Sequence, residues 1–327
     1  MRRRTVLLTT AAGLLAPAGV PLPAAAAAPG APTGGAAPTG PQLQRLLEAE
    51  QRAGMPGLFA EVRDGRTRWP LAAGVADLDT GRPVRPWFQH RVGSITKTFV
   101  ATTVLQLVGE RRVRLDAPIG QYLPDVVAGP RGRQITVRML LNHTSGIGNY
   151  TTALLGNPDD IARAAGHTFT PRDLATVGLI MAPTNAPGAL WSYSNTNYII
   201  LGLLIERLTR RPYAAEIERR ILRPLGLRDT YFPGTEPRIR GPHAAAYLSW
   251  VDGSLRDFSV FNMSWAWAAG ELVSTPADLN TFYRALLTGR LLAPPLLREM
   301  QTTVPFDPAQ PEAAGYGLGL FSVALPC

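Results

Sequence analysis

A serine and a lysine lie three residues apart in the segment Ser94-Ile95-Thr96-Lys97, and Lys97 is the only lysine among the 33 Lys and Arg residues. Residues i and i+3 share one face of a helix, so the Ser94 hydroxyl and the Lys97 amine can meet. No carboxylate lies within helical reach of Lys97. A lysine in that position either extends its amine to solvent or stays buried with a lowered pKa, and in the second case it can activate a serine, whereas arginine keeps its proton. We therefore predict that Ser94 is a nucleophile and that Lys97 accepts its proton.

A second polar segment, Trp191-Ser192-Tyr193-Ser194-Asn195-Thr196-Asn197, directly precedes an apolar stretch. If residues 193–195 are extended, the side chains of Tyr193 and Asn195 point to the same side. A phenol can relay protons, and an asparagine amide can hold an amine and bind a substrate carbonyl. A structural interpretation stays open, in which Ser194 or Asn195 caps the following helix and Tyr193 packs at its entry.

The pattern of apolar residues predicts the elements that would position these side chains. Asp64-Gly65 is a hairpin signal between two strands over 58–75. The stretch 94–108 is apolar nearly all round, which is typical of a buried helix. Further predicted elements are helices over 42–53, 198–208 and 275–287 (the last with Thr275 as N-cap), short helices between about 111 and 190, and a strand over 315–323. This order indicates an α+β fold with a helical insertion.

The composition excludes several classes of protein. A charged fraction of 17% and an aromatic fraction of 8% are unlike a disordered or collagen-like chain. The single cysteine, Cys327, excludes a disulfide framework and a cysteine-based zinc site. The four histidines show no HxH or HExxH spacing, so we predict no metal and no cofactor. The net charge of +9 suits an anionic surface, but no motif indicates a nucleic-acid partner.

Residues 1–28 are predicted to be a secretory signal peptide. Arg2-Arg3-Arg4 precedes an apolar stretch, small residues over 24–28 offer a cleavage site, and the arginines form an imperfect twin-arginine signal. The alternative is a membrane anchor, but glycine and proline residues interrupt the stretch early. Residues 29–41 are predicted to be a Pro/Gly/Ala linker. We expect a secreted or cell-wall-associated protein with no stable membrane insertion after cleavage.

These motifs together resemble the penicillin-recognising serine enzymes, and within them the branch of class C β-lactamases and soluble D-alanyl-D-alanine carboxypeptidases. The resemblance covers about residues 55–320. It rests on RVGSITKTF (91–99), ITVRMLLNHTSGI (135–147), TNAPGALWSYSNTNYIILGLLIERLT (184–209), PLGLRDT (224–230) and SWAWAAGELVSTPADLNTFYRALLTGRLL (264–292). It implies one β-lactamase/transpeptidase-like domain over 42–327, with an antiparallel sheet flanked by helices (about 42–93 and 250–327) and an all-helical subdomain (about 94–249).

The resemblance also implies a role for each matching residue. Ser94 would be the acylated nucleophile, and its backbone N–H would form half of the oxyanion hole. Lys97 would take or share the serine proton, while Tyr193 would act as general base in acylation and then protonate the leaving amine. Asn195 would hold Lys97 and bind the substrate amide. Trp265 would wall the substrate cleft, unless it packs in the core as most tryptophans do.

The sequence departs from the family in one motif. The family has a third motif, Lys or His followed by Thr or Ser and Gly, and no such triplet follows Tyr193; Leu287-Thr288-Gly289 lacks the basic residue. We therefore expect a truncated or decayed chain without the last sheet strands and the C-terminal helix, and a disulfide partner for Cys327 in the missing part. His143, in the block 142–148, is interpreted as a structural loop residue.

The expected function is that of a secreted, monomeric serine D-alanyl-D-alanine carboxypeptidase or transpeptidase, which acts on peptidoglycan stem peptides through acyl-Ser94. A class C-like β-lactamase acting on β-lactams, or a promiscuous esterase, would use the same chemistry. An alternative of another class is an inactive penicillin- or cell-wall-binding fragment, which the missing third motif favours. An α/β-hydrolase is a weaker alternative, because neither Ser94 nor Ser145 lies in a G-x-S-x-G motif.

Overall fold

The computed structural model describes residues 38–325. The predicted signal peptide (1–28), most of the linker (29–41) and Cys327 lie outside the described residues. The α-helices in that range are α1 (Gly40–Arg52), α2 (Thr96–Gly109), α3 (Gly129–Gln134), α4 (Val137–Leu141), α5 (Tyr150–Leu154), α6 (Pro158–Gly166), α7 (Pro171–Ile180), α8 (Asn195–Thr209), α9 (Tyr213–Ile217), α10 (Arg223–Leu225), α11 (Pro276–Leu287) and α12 (Pro294–Gln301). Short 3₁₀ turns precede α2 (Gly93–Ile95) and form residues Met263–Trp265 and Trp267–Ala269.

The strands of the described range form four small antiparallel sheets. They are β1 (Gly57–Asp64), β2 (Thr67–Gly74), β3 (His90–Arg91), β4 (Tyr247–Ser249), β5 (Leu255–Asp257), β6 (Val273–Ser274), β7 (Val304–Pro305), β8 (Ala314–Tyr316) and β9 (Phe321–Val323). The pairs are β1–β2, β3–β6 and β4–β5, and β7–β8–β9 forms a three-stranded sheet. The sequence led us to expect one sheet, but the structure divides the strands among four small sheets: β1 and β2 have eight residues each, and the other strands have two or three.

Two local predictions concern turns, and the structure confirms one and corrects the other. The predicted hairpin of β1 and β2 is present and pairs Gly57 with Gly74 and Asp64 with Thr67, but its two turn residues are Gly65 and Arg66, one position later than Asp64-Gly65. The strand predicted over 315–323 is instead two strands, β8 and β9, joined by a turn. Gly319 in that turn has a φ of 81°, a left-handed conformation that cannot continue a strand.

Helices α2 and α8 form the centre of the largest core cluster. The prediction that the helix after Ser94 is buried is confirmed, since Val100, Val104 and Leu105 in α2 have no exposed surface. Helix α11 packs on α2 through stacked rings of Phe99 and Phe282, whose centroids lie 3.6 Å apart. Within residues 38–325, no helix has both the length and the apolar character that crossing a bilayer requires.

The N-terminus of α11 has the predicted cap. The side-chain oxygen of Thr275 accepts a hydrogen bond from the Asp278 N–H at 3.3 Å. This bond satisfies one of the backbone donors that a helix leaves unpaired in its first turn. Because β6 ends directly before Thr275, the cap also fixes where the chain leaves the strand that pairs with β3.

Candidate active site

Ser94 lies in the exposed 3₁₀ turn between β3 and α2. The preceding Gly93 has a φ of 54°, which lets the chain turn sharply out of β3. Thr96 then fixes the turn, because its hydroxyl donates to the Gly93 carbonyl at 2.7 Å and accepts from the Leu272 N–H at 3.1 Å. Ser94 is therefore open to solvent at the start of a helical segment, where backbone N–H groups have no partner within the helix.

Lys97 is buried directly beneath Ser94, with 1% of its surface exposed. Its Nζ donates to the Asn195 Oδ1 at 2.8 Å and to the Ala269 carbonyl at 2.7 Å. The Ser94 Oγ lies 3.0 Å from the same nitrogen. The predicted meeting of the Ser94 hydroxyl and the Lys97 amine, three residues apart, is thus present in the structure.

The surroundings of Lys97 favour its neutral form. Burial holds the pKa of the amine well below its usual value. The Asn195 Oδ1 and the Ala269 carbonyl oxygen can only accept hydrogen bonds, so they take up two N–H groups of the Lys97 amine. The third partner, the Ser94 hydroxyl, can donate to the lone pair of a neutral amine. The site therefore accommodates an amine that accepts a proton from Ser94.

Tyr193 lies on the other side of the serine hydroxyl. Its Oη is 2.6 Å from the Ser94 Oγ, and its ring centroid is 4.9 Å from the Lys97 Nζ. Burial raises the pKa of the phenol to about 12, although the hydrogen bond with Ser94 opposes this shift. Tyr193 is therefore a phenol at neutral pH, which suits it to pass a proton on.

Asn195 is the first residue of α8, and its side chain reaches back to Lys97. The Asn195 Nδ2 donates to the Thr151 Oγ1 at 3.2 Å, which leaves its Oδ1 for the lysine. The capping alternative is not what the structure shows. Ser194 is extended at the N-cap position but makes no side-chain capping bond, and its hydroxyl donates to the Gly148 carbonyl at 2.9 Å.

Two residues considered in the sequence lie outside this cluster of four. Trp265 is 7% exposed and packs with Phe261 and other apolar side chains; its indole N–H is buried and unpartnered among the described residues. A substrate-binding role for Trp265 stays a prediction. His143 is fully buried, and its ring lies 4.4 Å from that of Tyr193. From the sequence we interpreted His143 as a structural loop residue, and its contact with Tyr193 was not predicted.

The Ala269 carbonyl is a further site group that sequence reasoning missed. Only its place in the block SWAWAAG could have indicated it. Residues 267–269 approach α8 closely at Gly202, where a Cβ would lie 2.5 Å from the Trp267 Cζ3. The small residue in α8 thus lets the turn bring this carbonyl against Lys97. In the described range no three His, Asp or Glu side chains come together as metal ligands would.

A family model described as Beta-lactamase matches residues 43–325. The chain belongs to this family. The match includes Ser94, Lys97, Tyr193 and Asn195, and it agrees with the fold that the sequence motifs implied.

Similar proteins include enzymes named for amide and ester hydrolysis. A D-stereospecific amidohydrolase from Streptomyces sp. is 45% identical with a TM-score of 0.82, over 89% of this chain and 85% of that one. A D-amino acid amidase from Ochrobactrum anthropi is 30% identical with a TM-score of 0.76, over 87% and 80%. Esterase EstB from Burkholderia gladioli is 36% identical over 54% of this chain. The chain spans 46% of that esterase's length.

Proposed function

We propose that this protein is a serine amidohydrolase that cleaves amides and peptides after a D-amino acid, with D-alanyl-D-alanine stem peptides among its substrates. The observation that carries the proposal is the exposed Ser94 Oγ, placed between the Lys97 Nζ at 3.0 Å and the Tyr193 Oη at 2.6 Å. A hydroxyl between a desolvated amine and a phenol is what an activated nucleophile requires.

Acylation begins with transfer of the Ser94 proton to the neutral Lys97 amine. The Ser94 Oγ attacks the substrate carbonyl carbon, and the carbonyl electron pair moves onto its oxygen to form a tetrahedral intermediate. Burial lowers the pKa of Lys97 and raises the pKa of Tyr193, so the amine is free to accept a proton and the phenol has one to donate. We therefore assign Lys97 as the proton acceptor and Tyr193 as the donor to the leaving group. When the carbonyl re-forms, the C–N bond breaks, the amine leaves with a proton from the Tyr193 phenol, and Lys97 returns its proton to Tyr193.

Deacylation repeats these steps with water as the nucleophile. Water attacks the acyl-Ser94 carbonyl while its proton passes to the Lys97–Tyr193 pair. The ester C–O bond then breaks, and the Ser94 Oγ takes a proton back from the pair. An amine in place of water would give transpeptidation by the same route.

Substrate class is supported by the relatives with D-stereospecific names, which cover most of this chain and share its fold. An esterase is the second candidate, because EstB is 36% identical over the part that aligns. An ester needs less help in expelling its leaving group than an amide, so a site that cleaves amides also has the groups to cleave esters. β-Lactam hydrolysis, secretion and the monomeric state remain predictions.

A matched panel of substrates tests the proposal. The purified protein and Ser94→Ala are given the D- and L-forms of one amino acid amide, the corresponding esters, a D-alanyl-D-alanine peptide and a chromogenic cephalosporin. We expect Ser94-dependent release from the D-amides in clear preference to the L-amides. Equal rates on both forms would refute D-specificity, and activity on esters alone would establish the esterase. Both proteins are also incubated with a fluorescent penicillin. A stable label on the wild type, without turnover of any substrate, would support the alternative of an inactive penicillin-binding fragment.

A further inference from the structure

His143 accepts hydrogen bonds from the residues directly before and after Tyr193 in the sequence. Its backbone carbonyl accepts the Ser192 N–H at 2.8 Å, and its side-chain Nδ1 accepts the Ser194 N–H at 3.3 Å. The His143 backbone itself is held at a φ of 62°, in the left-handed region that residues other than glycine seldom adopt, with Asn, Asp and His found there more often than the rest. One residue thus receives the two N–H groups that flank the candidate proton donor.

Neighbouring hydrogen bonds decide which ring nitrogen of His143 carries the proton. The Ser145 hydroxyl accepts from the Ile147 N–H at 3.1 Å and donates to the Asn197 Oδ1 at 2.6 Å. The Asn197 amide is therefore oriented with its Nδ2 towards the His143 Nδ1, 3.1 Å away. Two N–H donors, from Ser194 and Asn197, face Nδ1, so this nitrogen must be the unprotonated acceptor and Nε2 carries the hydrogen.

The groups that face the ring keep it uncharged. Ring centroids lie 4.4 Å away for Tyr193, 4.8 Å for Tyr316 and 5.3 Å for Tyr198. Burial holds the pKa of the imidazole well below its usual value. The Nε2 is buried and has no hydrogen-bond partner among the described residues, so no acceptor there stabilises an imidazolium.

We propose that His143 is a positioning residue that fixes Tyr193 against the Ser94 hydroxyl, acting as a neutral Nε2–H imidazole. The proposal rests on the proposed function for its effect on rate. It acts through the backbone: the ring holds the Ser194 N–H and packs against the phenol ring. Loss of the acceptor would let the segment 192–194 shift, and a misplacement of about 1 Å can cost on the order of 100-fold in rate.

Two variants separate positioning from a general loss of structure. His143→Leu removes the Nδ1 acceptor, whereas His143→Asn keeps an acceptor oxygen and tolerates the left-handed backbone. We expect His143→Leu to lower kcat by roughly 100-fold with little change in KM, and His143→Asn to recover most of it. The matched control is His90→Leu. Like His143, His90 has a buried ring nitrogen without a hydrogen-bond partner among the described residues, and its ring packs against Phe59. This variant should cost stability without lowering kcat.

Unchanged kcat in His143→Leu, or no recovery in His143→Asn when both variants unfold at the same urea concentration, would overturn the proposal. A second measurement does not depend on activity. The ¹⁵N spectrum of histidine-labelled protein, assigned by comparison with His143→Asn, should show a neutral Nε2–H ring at about pH 6.5, where a free imidazole is half protonated. An Nδ1–H tautomer or an imidazolium would refute the hydrogen bonding even if the protein hydrolysed nothing, whereas inertness on every substrate would refute only the proposed function.

Discussion

Replacing Lys97 by methionine removes the buried amine and keeps an unbranched side chain of similar length. In the folded protein burial holds the pKa of this amine well below its usual value, whereas in the unfolded chain it is about 10.4. Between these two values the unfolded chain binds one more proton than the folded protein. Lys97 therefore contributes a rise with pH to the free energy of unfolding of the wild type in this window, and Lys97→Met must lack that contribution.

The size of the effect follows from one proton. One proton changes the free energy of unfolding by about 1.4 kcal/mol per pH unit. A rise of two pH units within the window should therefore stabilise the wild type relative to Lys97→Met by about 2.7 kcal/mol. The variant also leaves the Asn195 Oδ1 and the Ala269 carbonyl without their donor. Each lost bond costs about 1–3 kcal/mol, but this cost is the same at every pH and leaves the slope unchanged.

Urea denaturation of both proteins from about pH 6 to 9 measures the two slopes. Ser94→Ala is the control, because it loses the nucleophile but keeps the amine and should follow the wild-type slope. We also expect kcat/KM of Lys97→Met to fall by at least about 10²–10⁴-fold, as for loss of a general base. Parallel stability lines for wild type and Lys97→Met would show that the amine keeps its proton in the folded state, and the argument for Lys97 as base would fail.

Three further substitutions test the site and its support. Tyr193→Phe should lower kcat/KM on a D-amino acid amide by about 10²–10⁴-fold, because the leaving amine loses its proton donor; an unchanged rate would assign that step to Lys97 alone. Asn195→Asp places a carboxylate where an oxygen lies 2.8 Å from the Lys97 Nζ, which raises the pKa of the amine. The acid limb of its kcat/KM profile should move to higher pH, and a limb that stays in place would contradict the assignment. Burial raises the pKa of Glu271 to about 7, so the folded protein binds the extra proton, and this carboxyl contributes a fall of about 1.4 kcal/mol per pH unit to the free energy of unfolding between about pH 4.3 and 7. In Glu271→Gln urea unfolding should lack this fall, and identical slopes would refute the shift.

Local chemistry made several elements predictable. The β1–β2 hairpin, the Thr275 cap and the all-round apolar character of the helix after Ser94 depend on residues within a few positions of each other. The pairing of Ser94 with Lys97 belongs to the same class, because one helical turn brings positions i and i+3 together whatever the rest of the chain does. The strand expected over 315–323 failed because a left-handed glycine interrupts it, and periodicity does not report φ.

The contacts that complete the site are long-range. The Lys97 Nζ meets the Ala269 carbonyl across 172 positions of sequence and the Asn195 amide across 98. His143 contacts Ser194 from 51 positions away. No spacing rule connects these residues, so the sequence could offer Tyr193 and Asn195 only through motifs and treated His143 as a loop residue.

By itself the sequence determined which groups are available: one lysine among arginines, three residues after a serine, and a Tyr-Ser-Asn segment before an apolar helix. The tertiary structure decided their protonation. A side chain's pKa depends on how much water the surrounding elements exclude and on whether its partners donate or accept. Packing of α2, α8 and residues 267–269 around Lys97 determines both its exposure to water and its hydrogen-bond partners. It leaves the amine facing two carbonyl oxygens and one hydroxyl.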